Sequence, residues 1–100
     1  MPNKEGAFQT SFRKNLLTLF PNGIVCKLDS SYVQGIPDLL LLWEDKWAVF
    51  EVKRSANETK RPNQEYYVDL LNSLSFSAFV YPENEREVLD ALQQAFGVHR

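Results

Sequence analysis

The segment GIPDLLLLWEDKWAVFEVKR, residues 35–54, contains two apolar runs separated by a short charged turn. Both runs are rich in Leu, Val and aromatic residues, so they predict two strands, Leu39–Trp43 and Trp47–Lys53, joined at Glu44-Asp45. Because both faces of this hairpin are apolar, we expect it to be central in a sheet and covered on both sides.

Charged residues interrupt the apolar pattern of the hairpin. A two-residue turn places Asp38 opposite Glu51 on one face, with Cβ atoms about 4.5–5.5 Å apart. Lys53 follows two residues later, so it joins that face. Two close, buried carboxylates repel each other, and a divalent cation such as Mg²⁺ or Mn²⁺, which prefers oxygen ligands, relieves the repulsion. The structural alternative is a Glu51–Lys53 ion pair at a strand end, with Asp38 capping a turn after Pro37.

The flanking sequence alternates between helical and strand patterns. These patterns predict a helix over 4–20, a strand over 24–28, a polar loop over 29–35, a helix from Pro62 to about Leu74, a strand over 76–81 and a last helix carrying Val88, Leu89, Leu92 and Phe96. Asn84 followed by Glu87 resembles a capping box at the start of that last helix. The order α-β-β-β-α-β-α predicts an α/β fold, with a mixed β-sheet flanked by helices, in a single domain over 1–100.

Composition limits the class of protein. The chain has 100 residues, of which 44% are hydrophobic and 24% charged, as in ordinary globular domains. No apolar run approaches the roughly 18 residues of a membrane span, and no signal peptide is recognised. We therefore expect a cytoplasmic protein, in the host cytoplasm if it is encoded by a phage. Cys26 is the single cysteine; this excludes an internal disulfide and a cysteine-rich zinc site, and we expect its thiol to be reduced and buried.

The charge is distributed unevenly along the chain. Residues 1–61 carry nine Lys or Arg and seven Asp or Glu, a net charge of +2, whereas residues 62–100 carry two and six, a net charge of −4. Helical spacing also puts Glu5 within the stripe of Phe8, Phe12 and Leu16, so a third carboxylate points inward. The alternative for Glu5 is a first-turn acid favoured by the helix dipole.

The segments GIPDLLLL and FEVKRS resemble the PD-(D/E)xK nuclease superfamily, and within it the small stand-alone VRR-NUC type of phages and bacteria. That pattern has a glutamate in the first helix, G-x-PD, E-x-K and a glutamine that opens the next helix. The matching residues are Glu5, Gly35-Ile36-Pro37-Asp38, Glu51-Val52-Lys53 and Gln64. Archaeal Holliday-junction resolvases share much of the pattern. Arg54-Ser55 departs from the lysine-glycine that often follows it, which leaves the local DNA contacts open.

The resemblance implies a restriction-endonuclease-like fold and metal-dependent hydrolysis of phosphodiester bonds in DNA. The metal ligands that it implies for Mg²⁺ or Mn²⁺ are Asp38, Glu51, the carbonyl of Val52 and Glu5, the last directly or through water. Lys53 is implied to orient or deprotonate the attacking water, or to stabilise the transition state. Gln64 is implied to position the water or Lys53, and its alternative is a solvated first-turn residue.

The resemblance also implies partners. The residues that it assigns to backbone phosphates are Arg54, Lys60, Arg61, Arg13 and Lys14, each with solvated surface as the alternative. We interpret Trp43, Trp47, Tyr66 and Tyr67 as core and interface packing rather than base-stacking platforms. A small core with 13% aromatic residues favours a homodimer, whose two-fold axis would suit a four-way junction. The rival hypotheses are a non-catalytic nucleic-acid-binding module of the same fold and a small interaction protein whose Glu51–Lys53 pair is structural.

Overall fold

A mixed four-stranded sheet with three helices forms the part of the molecule that is described here. The computed structural model describes the backbone of residues 4–98 and the side chains of residues 6–98. The elements are α1 Lys4–Leu19, β1 Ile24–Lys27, β2 Leu39–Trp43, β3 Lys46–Val52, α2 Gln64–Leu74, β4 Phe76–Val80 and α3 Glu85–Ala95. The predicted order α-β-β-β-α-β-α is thus confirmed. Within these residues, no helix is both long enough and apolar enough to cross a membrane.

The hairpin of β2 and β3 lies in the middle of the sheet, whose strand order is β1-β2-β3-β4. Leu39 is opposite Phe50 and Trp43 is opposite Lys46, so the turn consists of Glu44 and Asp45 as the sequence predicts. β1 joins β2 in antiparallel orientation, and β4 joins β3 in parallel orientation. A parallel pair needs a crossover connection, and the segment containing α2 supplies it.

One face of the sheet carries the main core beneath α1 and α3. Phe12, Leu16 and Phe20, each four residues after the last, are fully buried because this spacing keeps side chains on one side of a helix. They pack with alternate residues of the hairpin and with the inner side of α3. The ring of Trp43 lies 5.2 Å from Phe20 between centroids, which confirms its predicted role in packing.

The other face of the sheet is only half covered. The α2 helix lies over β3 and β4, where Val68 is buried and the Ser75 hydroxyl donates to the Trp47 carbonyl. Over β1 and β2, Leu42 is 41% exposed and its partner Ile24 is 57% exposed. The prediction that both faces of the hairpin are covered is therefore wrong for this half, because no helix among residues 4–98 lies over it.

Cys26 is exposed, contrary to the prediction of a buried thiol. It lies on β1, an edge strand, opposite Leu40 and on the same side as Ile24. That side is the open half of the sheet, so a small apolar side chain has nothing to pack against.

Two helix starts differ from the sequence-based expectation. The α2 helix begins at Gln64 rather than Pro62, because Asn63 adopts a left-handed conformation with φ 69°. The side chain of Asn84 makes no capping bond to α3. Its Oδ1 instead accepts from the Tyr81 N–H at 2.9 Å, and its Nδ2 donates to the Phe79 carbonyl at 3.1 Å. The predicted capping box is therefore wrong, since these contacts occupy the amide.

Gly35 fixes the distance between the loop before β2 and the start of α2. Its φ is +92°, and a Cβ there would lie 2.6 Å from the Cβ of Asn63. Only glycine combines this backbone conformation with so close an approach.

We expect Gly35→Ala to lower the free energy of unfolding by more than the left-handed strain alone, which is about 1–2 kcal/mol. The matched control is Gly97→Ala, because Gly97 has φ +74° and no atom within 4 Å of the added Cβ. Urea unfolding of both variants measures the difference. Equal losses would contradict the tight contact with Asn63.

Candidate active site

A cleft of about 290 Å³ opens at the end of the sheet where β1 and β3 end and β2 begins. Its walls come from the β1–β2 loop, the strand ends, the segment after β3 and the first turn of α2. The residues that line it are Ser30, Ser31, Gln34, Gly35, Ile36, Asp38, Glu51, Lys53, Glu58, Arg61, Pro62 and Gln64. The cleft therefore contains Asp38, Glu51, Lys53 and Gln64, four of the residues that the sequence selected.

Asp38 and Glu51 approach each other across the hairpin. When the register that pairs Leu39 with Phe50 is continued by one residue, Asp38 lies opposite Glu51. Asp38 is half-buried and its Oδ2 accepts from the Val52 N–H at 2.9 Å, while Glu51 is buried. This hydrogen bond holds the Asp38 carboxylate against the end of β3, so the two acids face one cleft.

Lys53 and Glu51 are joined through the amide of Gln64 rather than by a close ion pair. Lys53 is only 4% exposed, and its Nζ donates to Gln64 Oε1 at 2.8 Å and to the Thr59 carbonyl at 3.3 Å. Gln64 Nε2 then donates to Glu51 Oε2 at 3.1 Å. The direct separation of Lys53 Nζ and Glu51 Oε2 is 3.9 Å, well beyond the roughly 2.7–2.9 Å of a charge-assisted hydrogen bond.

Gln64 is itself held in place by the backbone that precedes it. Its Oε1 accepts a second hydrogen bond, from the Arg61 N–H at 2.7 Å. Gln64 is also buried, at the first position of α2. Both ends of the amide are thus engaged, which fixes which end is the oxygen. Gln64 therefore positions Lys53 and Glu51 relative to each other. The alternative, a solvated Gln64 side chain in the first turn of α2, is wrong.

The donor set of the cleft suits a hard divalent cation. Asp38 and Glu51 supply carboxylates, and Mg²⁺ typically binds through one or two of these together with water and phosphate oxygens. Among the described residues there is no group of three or more His, Cys, Asp and Glu that could hold a metal ion. Glu5, the further ligand expected from the sequence, lies on α1 but its side chain is outside the described residues. Val52, the expected carbonyl ligand, lies between Glu51 and Lys53.

Glu58 is an acid of the cleft that sequence reasoning did not select. Its Oε1 accepts from the Arg54 N–H at 2.6 Å and from Arg54 Nε at 3.2 Å, and its Oε2 lies 3.8 Å from Lys53 Nζ. Burial acts to raise the pKa of Glu58, but the hydrogen bonds from Arg54 and the charges of Lys53 and Arg54 outweigh it, so the pKa is lowered. No periodic pattern in this polar loop could have distinguished Glu58 from a solvated acid.

The predicted phosphate-binding cations fall into different environments. Arg61 lines the cleft, whereas Arg54 is paired with Glu58. The Nζ of Lys60 lies 3.6 Å from Glu65 Oε1 and over the ring of Phe79. Of these three predicted cations, Arg61 is therefore the one that lines the cleft and has no ion-pair partner among residues 6–98.

The two basic residues of α1 lie apart from that loop. Arg13 lines a groove of about 360 Å³ between α1 and β1 together with Lys27, which the sequence reasoning missed, and Leu39 lies in its wall. Lys14 is exposed on α1. Leu39 directly follows Asp38, and successive side chains of a strand point to opposite faces, so this groove lies at the same end of the sheet as the cleft but on the opposite face.

Comparison with known proteins shows one likeness of fold. The chain is similar to a solved structure described as a VRR_NUC domain, with a TM-score of 0.71 and 24% sequence identity over 88% of this chain and 96% of that chain. No protein-family model matches the sequence, and a search of curated proteins found no match. The α/β arrangement described above is therefore also the fold of a VRR_NUC domain.

We expect Glu58→Gln to reduce stability at neutral pH and to have less effect in acid. A carboxylate whose pKa is lowered by folding stabilises the native state above its ordinary value of 4.5, and this contribution is lost as the pH falls through the folded-state pKa. The measurement is urea unfolding of both proteins from pH 7 down to about pH 3.

The control for this prediction is Glu65→Gln. Glu65 is 70% exposed at its side chain and 3.6 Å from Lys60, and exposed ion pairs contribute little to stability. A stability difference between wild type and Glu58→Gln that stays constant across this pH range would contradict the role assigned to the Glu58 charge.

Proposed function

We propose that the protein is a divalent-metal-dependent nuclease that hydrolyses phosphodiester bonds in DNA. The observation that carries the proposal is the convergence of Asp38, Glu51, Lys53 and Gln64 in one cleft of a chain with the fold of a VRR_NUC domain. A buried lysine linked to a buried glutamate is costly for folding, so such an arrangement favours a chemical role.

In this proposal Asp38 and Glu51 hold Mg²⁺ or Mn²⁺, with the Val52 carbonyl and Glu5 as further ligands. When bound, such an ion activates water and neutralises charge that develops on the phosphate. The Val52 N–H fixes one oxygen of Asp38, which orients the carboxylate toward the cleft before any ion binds. Preorganised ligands of this kind lower the cost of assembling the site.

Lys53 and Gln64 supply the protein's own contribution to the reaction. The Lys53 ammonium is held by Gln64 Oε1 and the Thr59 carbonyl at the wall of the cleft. A fixed positive charge there stabilises negative charge on phosphoryl oxygens more strongly than a mobile surface lysine, because little reorganisation is needed as the reaction proceeds. Gln64 acts as the positioning residue that sets the place of this charge.

DNA is proposed to bind through cations around the cleft. Arg61 lines the cleft beside the acids. Arg13 and Lys27 line the groove at the same end of the sheet but on its other face, and neither has an ion-pair partner within residues 6–98. Arg54, Lys60 and Lys14 are proposed as outer phosphate contacts. Contacts of this kind position the backbone without reading sequence.

We expect Asp38→Asn and Glu51→Gln each to lower cleavage of DNA in Mg²⁺ by about 100-fold or more, because metal charge stabilisation accounts for several kcal/mol. Both changes preserve side-chain volume. Asp38→Asn should leave the melting temperature in EDTA close to that of wild type, whereas Glu51→Gln should lower it, because it removes a buried negative charge near Lys53. Calorimetric binding of Mg²⁺ or Mn²⁺ should be lost together with activity.

The charge-matched control is Asp69→Asn, since Asp69 is exposed on α2 and does not line the cleft. Full cleavage by either cleft variant, or no cleavage of any DNA by wild type in either metal, would refute the proposal. The second result would favour a non-catalytic nucleic-acid-binding module instead.

We also propose that the protein acts as a homodimer through the open half of the sheet. Ile24 and Leu42 are paired in register on that half, and Leu70 and Leu74 are exposed on α2, which lies on the same side. Exposed apolar patches of this kind mark interaction surfaces. A two-fold dimer presents two cleavage sites, which suits paired cuts in a four-way junction.

We expect Leu42→Glu to convert a dimer into a monomer, because a charge in an apolar interface loses its water without gaining a partner. Light scattering at micromolar concentration measures the mass of each protein. Leu42 is exposed in the monomer, so the variant should keep its melting temperature at low concentration. A monomeric wild type would refute the dimer, and equal rates on linear duplex and four-way junction would refute the junction preference.

A further inference from the structure

The lining of the cleft carries more negative than positive charge. Asp38, Glu51 and Glu58 supply three carboxylates, against the ammonium of Lys53 and the guanidinium of Arg61. A divalent cation bound by the acids reverses this balance at the reacting phosphate. DNA is a chain of phosphates, however, so the phosphates on either side of the reacting one need cations at the edge of the cleft.

Glu58 lies between a cation inside the cleft and a cation outside it. Its Oε2 is 3.8 Å from Lys53 Nζ, and its Oε1 accepts from Arg54 Nε at 3.2 Å. The Glu58 side chain is only 17% exposed, whereas that of Arg54 is 59% exposed. Arg54 does not line the cleft, but its contact with Glu58 holds the guanidinium at the edge of the cleft.

A short turn after β3 brings Glu58 back onto Arg54. The Glu58 N–H donates to the Ser55 carbonyl at 3.2 Å, and the Asn57 N–H donates to the Ser55 hydroxyl at 3.3 Å. Glu58 Oε1 also accepts from the Arg54 N–H at 2.6 Å, so the acid is fixed to the backbone of the residue whose side chain it holds. A guanidinium held in this way loses less conformational entropy when it binds a partner.

The contact with Glu58 leaves most of the Arg54 guanidinium available. A guanidinium carries its N–H donors in one plane, and only Nε of Arg54 engages Glu58. Nη1 and Nη2 make no hydrogen bond within the described residues. Two adjacent N–H groups match two oxygens of a phosphate. Arg54 can therefore bind a phosphate without releasing Glu58.

We propose that Glu58 is a positioning residue that holds the Arg54 guanidinium at the edge of the cleft, where Nη1 and Nη2 bind the DNA phosphate next to the one in the cleft. This inference rests on the proposed nuclease function and gives Glu58 a part in binding its substrate. A carboxylate repels phosphate by its own charge, so the gain from placing Arg54 must exceed this repulsion. The alternative is that Glu58 competes with DNA for Arg54, and the two cases predict opposite couplings between the residues.

The test is a double-mutant cycle, in which a labelled DNA four-way junction is titrated with the full chain at low salt in EDTA, so that no cleavage occurs. Glu58→Gln and Glu58→Met both remove the negative charge, but only glutamine keeps an oxygen that can accept from Arg54. We expect Arg54→Ala to weaken binding by about 10-fold when Glu58 is present, by about twofold or less beside Glu58→Met, and by an intermediate factor beside Glu58→Gln.

Two further variants complete the design. Arg54→Lys keeps the charge and leaves Glu58 unchanged, but an ammonium does not present a planar pair of donors to the phosphate while it contacts Glu58. It should therefore bind nearly as weakly as Arg54→Ala, and it tests the same geometry if Glu58→Met does not fold. The matched control is Lys46→Ala, because Lys46 is paired with Asp45 at 2.9 Å in the turn at the far end of the sheet. Its DNA affinity should equal that of wild type.

An equal cost of Arg54→Ala in all three backgrounds overturns the inference, because Glu58 would then have only a structural role. A larger cost beside Glu58→Met than in the presence of Glu58 also overturns it, since Glu58 would then compete with DNA. Arg54→Lys that binds like wild type, or a wild type that binds no DNA, has the same consequence. Cleavage in Mg²⁺ is measured separately. If the expected coupling is found but wild type cleaves no DNA, the nuclease proposal fails and the positioning role stands. If wild type cleaves DNA and the coupling is absent, the reverse holds.

Discussion

The buried hydrogen bonds that join Lys53, Gln64 and Glu51 constrain the rest of this molecule. A lysine and a glutamate that are both 4% exposed lose most of their hydration, and that loss must be offset by partners within the protein. Gln64 donates to the acid and accepts from the ammonium, so the amide satisfies both charges with one side chain. The end of β3 and the start of α2 must therefore lie at a fixed distance, although ten residues of chain, 54–63, lie between Lys53 and Gln64.

The loop that connects β3 to α2 is arranged around this requirement. Asn63 adopts a left-handed conformation, which ends the loop at the point where Gln64 can face the cleft. Gly35 lies against Asn63 from the opposite wall, so the β1–β2 loop and the α2 start are fixed together. Glu58 satisfies the Arg54 N–H and lies near Lys53. Local strain at Asn63 is thus compensated by contacts that form only when the site is assembled.

The two faces of the sheet differ in how far their apolar residues are covered. The face under α1 and α3 is a continuous core, whereas the face under α2 is covered only over β3 and β4. The cleft lies on the covered half, where α2 excludes water from Glu51 and Lys53, and the apolar residues of β1 and β2 remain exposed beside it. Stability is thus supplied mainly by one face of the sheet, while the other face carries the ionisable groups and the open surface.

The sequence by itself determined the element order, the hairpin register and the identity of Asp38, Glu51, Lys53 and Gln64, because each depends on local periodicity, on a two-residue turn or on a short motif. The tertiary structure alone decided which hydrogen bonds join these residues, since Gln64 and Lys53 meet only after α2 has crossed over the sheet. It also decided that Cys26 is exposed and that Asn84 bonds to Tyr81 and Phe79 instead of capping α3. The same apolar or polar pattern is compatible with either outcome, and only the packing of neighbouring elements distinguishes them. Glu58 belongs to this second class, because nothing in a polar loop indicates which side chains will border a cleft.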